Sequence, residues 1–479
     1  MKTYQLYKNG EFTKSSNQEM MDVTSPANGD VVAQVPAGTK EDVEHVVQSA
    51  NEAFKSWKKL PSIERASYIN NLVELLNDEE NQSLIGHAIA SEMGKPLNSA
   101  KGEVGAAAAI ADYQRQWARR IEGDVVDPDT SNEKILITKE PIGTVLCIVP
   151  WNFPIYVLTR KLVPALLAGN TVVIKPSVKS PTSALEYAKL FEKAGFPKGV
   201  VNVITGEDEE IGDELTGSEG VSMVTFTGST AVGKRVAAQA ASHVARTSLE
   251  LGGKAPAIVM DDADLDLAVE AIASGRLANS GQICNNTERV YVHNSVKDKL
   301  TEKLKKAFES FEVGDGLENP DITMGPLVTE NDGRRVHKIV QKSLDQGAKV
   351  LTGGDFIKGM PQSFYPPTLL DNCTQDMDVV REEVFGPVLP IVTFETIDEA
   401  IEMANDTIYG LTSNVYTNHY PSVMRFTSEI ESGEVYVNRQ QGEAFQGYHT
   451  GWKQSGIGGD DGKYGFEAFL QKKTVYLSY

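Results

Sequence analysis

One thiol stands where chemistry is possible: Cys284, inside Asn279–Val290 (NSGQICNNTERV). The thiolate is the reactive form, and an ordinary thiol with a pKa near ~8.5 is only slightly ionised at neutral pH, so Cys284 needs an activator from elsewhere in the chain. A cysteine kept for packing would more usually sit inside a helix or strand as a small hydrophobe. Here Gln282, Asn285 and Asn286 surround the thiol with hydrogen-bonding groups and leave room for a carbonyl. On this stretch alone, a structural thiol and a nucleophile both remain open.

Four further stretches combine reactive side chains with turn residues. Pro150-Trp151-Asn152-Phe153-Pro154 carries the side-chain amide of Asn152, a neutral donor suited to an oxyanion; a rigid proline-flanked turn is the plainer reading. Lys175-Pro176-Ser177 offers a cation for a ribose or phosphate, or a solvated strand-end charge. In Phe226–Gly233 (FTGSTAVG), Gly228 and its neighbours would let a pyrophosphate approach backbone N–H groups, although the pattern is not GxGxxG. Glu250 sits between Leu249 and Leu251; partial burial would raise its pKa and make it a usable base, whereas a strand-edge cap is the bland alternative. Glu382-Glu383-Val384-Phe385-Gly386-Pro387 joins an acidic pair to an aromatic turn, and Glu383 is suited to sugar hydroxyls or simply to solvent.

The elements around these stretches alternate. Gly143–Val149, Asn170–Ile174, Val200–Ile204, Met223–Thr227 and Thr247–Leu251 are β-branched runs expected as buried strands. Leu158–Leu167, Ser183–Ala194, Glu209–Leu215 and Gly233–Ala241 have helical spacing between them. That alternation predicts an α/β fold with a parallel, doubly wound sheet, which binds ligands at the carboxyl ends of its strands. A second α/β series starts after Gly252-Gly253, with the helix Asp264–Leu277 and the strand Val290–His293 on either side of the Cys284 turn. Val125–Thr138 is polar and extended, and Phe469–Leu477 is a closing strand expected to pair with another chain.

Composition narrows the class. The chain has 479 residues, 41% hydrophobic and 23% charged, as in an ordinary globular protein. Its net charge of −20 argues against nucleic acid or an anionic membrane as partner. Three separated cysteines form no disulfide framework, and seven scattered histidines lack a metal-ligand spacing, so no metal is expected. The first residues lack the apolar core of a signal peptide, which points to the cytoplasm.

Taken in order, PWNFP, KPS, FTGSTAVG, LELGGK, the GQIC turn and EEVFGP resemble the NAD(P)-dependent aldehyde dehydrogenases over essentially the whole chain. The resemblance implies Cys284 as nucleophile, Asn152 with the Cys284 backbone N–H as oxyanion holder, and Glu250 as the base that deacylates a thioester. It implies Lys175 and Glu383 at ribose hydroxyls, Gly228 and Ser229 at the pyrophosphate, and Trp151, Ser177 and Phe385 in the same cofactor-binding set. It also implies a Rossmann-type cofactor domain (1–122 and 140–251), a catalytic domain (252–460) and an oligomerisation ribbon (123–139 and 461–479), assembled as a homodimer or homotetramer. Within the family, Leu158–Lys161 and Gly442–Gly459 resemble bacterial members that oxidise lactaldehyde or glycolaldehyde. Arg160, Glu443 and His449 would then bond a 2-hydroxyl or the product carboxylate. Family members preferring NAD usually carry Glu at the position of Val178; its absence here, beside Lys175 and Lys179, implies that NADP is accepted as well as NAD. A semialdehyde dehydrogenase using Arg160 for a carboxylate is the alternative, and a non-catalytic relative the more distant one. Glu250 argues against a CoA-acylating member.

Overall fold

The computed structural model describes residues 2–479. Five parallel strands form the centre of the first sheet, in the spatial order Arg246–Glu250, Met223–Thr227, Thr144–Val149, Thr171–Pro176 and Val201–Val203. The short antiparallel strand Gly456–Ile457 extends one edge, and the hairpin Leu6–Lys8 with Glu11–Thr13 extends the other. Chain order reverses at Thr144–Val149, which has Thr171–Pro176 on one side and Met223–Thr227 on the other. Such a switch point opens a crevice at the carboxyl ends of the strands. The two segments that leave it, Pro150–Phe153 and Thr227–Ser229, are the ones whose residue types suggested chemistry.

The second sheet has seven strands, ordered Lys349–Thr352, Thr368–Asp371, Val388–Phe394, Thr287–His293, Ala255–Val259, Thr412–Tyr416 and Glu434–Val437. Its central strands are buried on both faces because helices cover both, as a parallel sheet requires. The chain crosses from the first sheet to the second at Gly252-Gly253. A Cβ on Gly253 would collide with the carbonyl oxygen of Cys284, and one on Gly252 would stand 2.6 Å from Glu383 Oε2. Only glycine lets this crossing lie against the Cys284 turn.

One edge of the closing strand Leu470–Ser478 pairs within the chain, antiparallel to Glu133–Pro141 from Leu470↔Pro141 to Ser478↔Glu133; Asp124–Val126 completes a three-stranded sheet on the far side of Glu133–Pro141, so the closing strand is an edge strand among the described residues. Two expectations change. The helix after FTG begins at Thr230 rather than beyond Gly233, because Ser229 caps it and Gly233 belongs to its first turn, pressed on Leu251. The expected helix at Glu209–Leu215 is split into a wide turn, Asp208–Gly212, and a short helix, Asp213–Thr216. Among the described residues, no helix is long and apolar enough to cross a membrane.

Candidate active site

A cavity of about 550 Å³ occupies the switch-point crevice. Cys284, Asn152 and His449 meet in it; Trp151, Gly228, Ser229, Glu383 and Phe385 line one part, and Arg160 and Glu443 another. Glu250 lies just behind the lining, where His449 Nε2 stands 3.6 Å from its Oε2. Lys175 and Ser177 are not part of the lining. Lys175 is buried and paired with Asp208, and Ser177 Oγ accepts from the Lys179 N–H at 3.3 Å.

The Cys284 turn is held by unusual backbone. Asn279, Ser280 and Gly281 have φ of 49°, 57° and 76°, two of them without a glycine's freedom. Gln282 bridges the turn: its Nε2 donates to Asn279 O at 3.0 Å and its Oε1 accepts from Val328 N at 2.9 Å. Asn152 Nδ2 donates to Gln282 O at 2.9 Å, which fixes the amide beside Cys284. From behind, the buried Lys95 ammonium donates to Asn152 O at 2.8 Å and to Glu103 Oε2 at 2.5 Å. Glu103 Oε1 in turn accepts from Ile155 N and Tyr156 N, the opening turn of the helix Pro154–Ala168. The amide expected at an oxyanion is therefore pinned from both sides.

Two charged groups define the deeper end. Arg160 donates Nη2 to Asp461 and, at 3.0 Å, to Glu443 Oε1, while its Nε reaches Asp461 Oδ1 at 3.4 Å. Glu443 Oε2 accepts from Asn285 Nδ2 at 2.9 Å. Burial disfavours the Glu443 carboxylate, but Arg160 and His449 outweigh it and bring its pKa down to about 2. Behind Glu250, Lys161 and Asp460 form a fully buried pair at 2.8 Å. Burial raises Glu250 well above its ordinary 4.5, with His449 opposing. Burial likewise works against an imidazolium at His449, yet Glu250, the adjacent Cys284, Glu434 and Glu443 together hold its pKa well above 6.5.

At the other end, the Trp151 and Phe385 rings meet edge-on at 5.6 Å, and Glu383 Oε1 accepts from Gly253 N at 2.8 Å. Burial, with Glu288 adding to it, pushes Glu383 up to about 7. Phe385 has a φ of 47°, so its loop must be held in place. The buried Glu288 holds it, accepting from Val384 N and Phe385 N while paired with Lys254 at 2.7 Å and Arg276 at 2.6 Å. Removing one member of such a triad strands the other charges in the interior. Glu288→Ala is expected to lower stability by about 3–5 kcal/mol and to weaken cofactor binding, measured by thermal unfolding and by cofactor titration.

The residues suit a dinucleotide. Gly228 lies against the Phe226 ring with no space for a Cβ, and Ser229 begins the twelve-residue helix Thr230–Ala241 at the cleft wall, where oriented N–H groups favour an anion. The cations expected to favour NADP are largely neutralised: Asp208 takes Lys175, and Asp332 takes Lys179 at 2.9 Å. Among the described residues, no group of three or more His, Cys, Asp and Glu side chains is arranged to hold a metal ion.

Several residues around the site were not anticipated from sequence: Glu434, Asp461, Lys95 and Glu103, and the pair Lys161–Asp460. The acidic pair in Gly459-Asp460-Asp461-Gly462 and the basic pair Arg160-Lys161 were the available signal for three of them.

Residues 12–475 match the Aldehyde dehydrogenase family. The chain belongs to this family. It is 43% identical over 472 residues to the lactaldehyde dehydrogenase of Escherichia coli (strain K12), covering 98% of both chains. A crystal structure of lactaldehyde dehydrogenase from E. coli superposes over the whole of both chains with a TM-score of 0.97 at 43% identity. A 3,6-anhydro-L-galactose dehydrogenase in complex with NAP superposes with a TM-score of 0.96 at 42% identity, over 99% of this chain and 100% of that one. The mitochondrial succinate-semialdehyde dehydrogenase of Arabidopsis thaliana is 40% identical over 98% of this chain and 88% of its own. This aldehyde dehydrogenase is thus an NAD(P)-dependent oxidoreductase, with relatives of comparable similarity that differ in substrate.

Proposed function

We propose that this aldehyde dehydrogenase oxidises a small, uncharged 2-hydroxyaldehyde, such as lactaldehyde or glycolaldehyde, to the carboxylate. The observation that carries this reading is the state of Arg160. Its charge is already met by Asp461 and Glu443, so the deep end offers no free cation to a substrate carboxylate. A semialdehyde's acid group would face the ionised Glu443. A hydroxyl, by contrast, can donate to Glu443 and accept from the remaining Arg160 Nη1 or from His449. A site built to bond a hydroxyl penalises analogues that lack it, because its polar groups are then left unpaired.

In this reading Cys284 Sγ attacks the aldehyde carbon, and Asn152 Nδ2 with the Cys284 N–H holds the resulting oxyanion. NAD(P)+ held in the cleft would supply the hydride acceptor. The Cys284 thioester that remains is opened by water as Glu250 takes the water's proton, releasing the acid and restoring the thiolate. Trp151, Gly228, Ser229, Glu383 and Phe385 would hold the cofactor, with Lys175 and Ser177 beyond them. Val178 places no carboxylate near a 2′-phosphate, which supports acceptance of NADP alongside NAD; the pairing of Lys175 and Lys179 argues against a strong preference for it.

The division into a cofactor domain (1–122 and 140–251), a catalytic domain (252–460) and an oligomerisation ribbon (123–139 and 461–479) belongs to the same proposal. The closing strand lies at the edge of its sheet, with Tyr476 and Leu477 exposed, which supports self-association there as a dimer or tetramer. The test of function is kcat/KM for lactaldehyde, glycolaldehyde, propanal and succinic semialdehyde, each with NAD and with NADP. The hydroxyaldehydes are expected to lead propanal and the semialdehyde by about tenfold or more with both cofactors, since an unpaired buried polar group costs about 1–3 kcal/mol. A lead for the semialdehyde would reassign Arg160 to carboxylate binding.

A further inference from the structure

His449 belongs to two networks at once. One side of its ring faces the cleft and Glu250; the other faces Glu434, on the edge strand Glu434–Val437 of the second sheet. Glu434 Oε1 is 3.3 Å from His449 Nδ1, and its Oε2 accepts from the Tyr436 hydroxyl at 2.6 Å. The His449 backbone is fixed as well, exchanging both of its hydrogen bonds with Asp460 at 2.8 and 3.0 Å. Among the described residues, neither Glu250 oxygen has a hydrogen-bond donor. Its carboxylate therefore depends on neighbouring charge to stay ionised.

We propose that Glu250 and His449 share one proton and that Glu434, a positioning residue, places it on His449 and so leaves Glu250 free to act as the base. This rests on the reading of Glu250 as the base. The argument is electrostatic. With one proton in the pair, it sits either on the imidazole, giving an ion pair, or on the carboxyl, leaving both neutral; such a pair titrates as a unit. The Glu434 carboxylate is in contact with the ring and farther from Glu250, so it favours the imidazolium arrangement.

The other charges bear on the pair from all sides. Glu443 also favours the imidazolium, and Cys284 lies beside the ring. Asp460 disfavours the Glu250 carboxylate, whereas Lys161 and Arg160 favour it. Those two cations are matched by their own partners Asp460, Asp461 and Glu443. Tyr448 also stands near Glu250. Glu434 is thus the carboxylate that touches the ring from the side away from Glu250.

The experiment is Glu434→Gln, which keeps the shape and removes the charge. Thioester hydrolysis is followed in the full-length enzyme with NAD+ and propanal, a substrate without the 2-hydroxyl. The proton then moves to Glu250. Deacylation at pH 7 is expected to fall about tenfold or more and to recover as the pH rises, an upward move of the acid limb of about one unit. The burst of NADH should be retained, and Glu434→Asp should restore most of the rate at pH 7. An acid limb that stays in place or moves down overturns the proposal, as does a change confined to KM. Should Glu434→Gln not fold, Tyr436→Phe removes the donor that holds Glu434 and is expected to shift the limb in the same direction by less; no shift would count against the proposal. Glu250→Gln separates the two readings. If its turnover is normal, the base assignment itself fails. If its deacylation is lost while Glu434→Gln leaves the profile unchanged, only the proposal about Glu434 fails.

Discussion

A Cys284→Ala variant is expected to lose aldehyde oxidation by at least about 10⁴-fold, because without a nucleophile there is no covalent route to hydride release. The fold should survive. Cys284 is only partly buried, on a turn held by Gln282 and Asn279 rather than by the sulfur, so truncation costs about 1 kcal/mol or less. The other two thiols cannot substitute. Cys147 is enclosed in the strand Thr144–Val149 and Cys373 is buried in the core against the second sheet, and burial pushes each up to about 12. Iodoacetamide is therefore expected to label Cys284 alone at neutral pH, and an aldehyde substrate should slow the labelling. Oxidation that persists in the alanine variant, or equal labelling of all three cysteines, would remove Cys284 from the chemistry.

The contrast among the three cysteines shows what was legible in the sequence. Cys284 stood out because it lies between a helical run and a strand, among amides and a glycine; the structure places it there, between Leu265–Leu277 and Thr287–His293. Asn152, Gly228 and Glu250 were legible for a related reason. Each follows or ends a β-branched run, and a parallel sheet brings such ends to one edge. Long-range partners were not legible. Arg160 was expected to bond the substrate's hydroxyl or carboxylate, and nothing in the sequence showed that Asp461, 301 residues away, closes on it. Glu434 carries no sign in the sequence of its contact with His449, which only the fold creates. The left-handed backbone at Asn279 and Ser280 had no glycine to announce it. The in-chain partner of the closing strand was not legible, because alternation marks a strand, not what it pairs with.

Glu250→Gln is expected to uncouple the two halves of the reaction. In the proposed mechanism acylation needs Cys284, Asn152 and the cofactor, so the first turnover should still release one NADH per active site. Hydrolysis of the thioester needs a base, and its loss should slow steady turnover by about 10²–10⁴-fold. The pH dependence carries the sign. As the proposed base, Glu250 would act when ionised, and burial holds its pKa above the ordinary 4.5, so wild-type deacylation should fall as the pH drops through that raised value. The glutamine variant has no such group and should lose this limb, leaving a slow hydrolysis that rises with hydroxide. The side chain itself makes the substitution informative. Neither carboxylate oxygen has a donor among the described residues, so exchanging it for a neutral amide breaks no hydrogen bond that holds the fold. An unchanged steady rate would exclude Glu250 as the base and turn attention to the ionisable groups around it, His449, Asp460, Lys161, Arg160 and Tyr448.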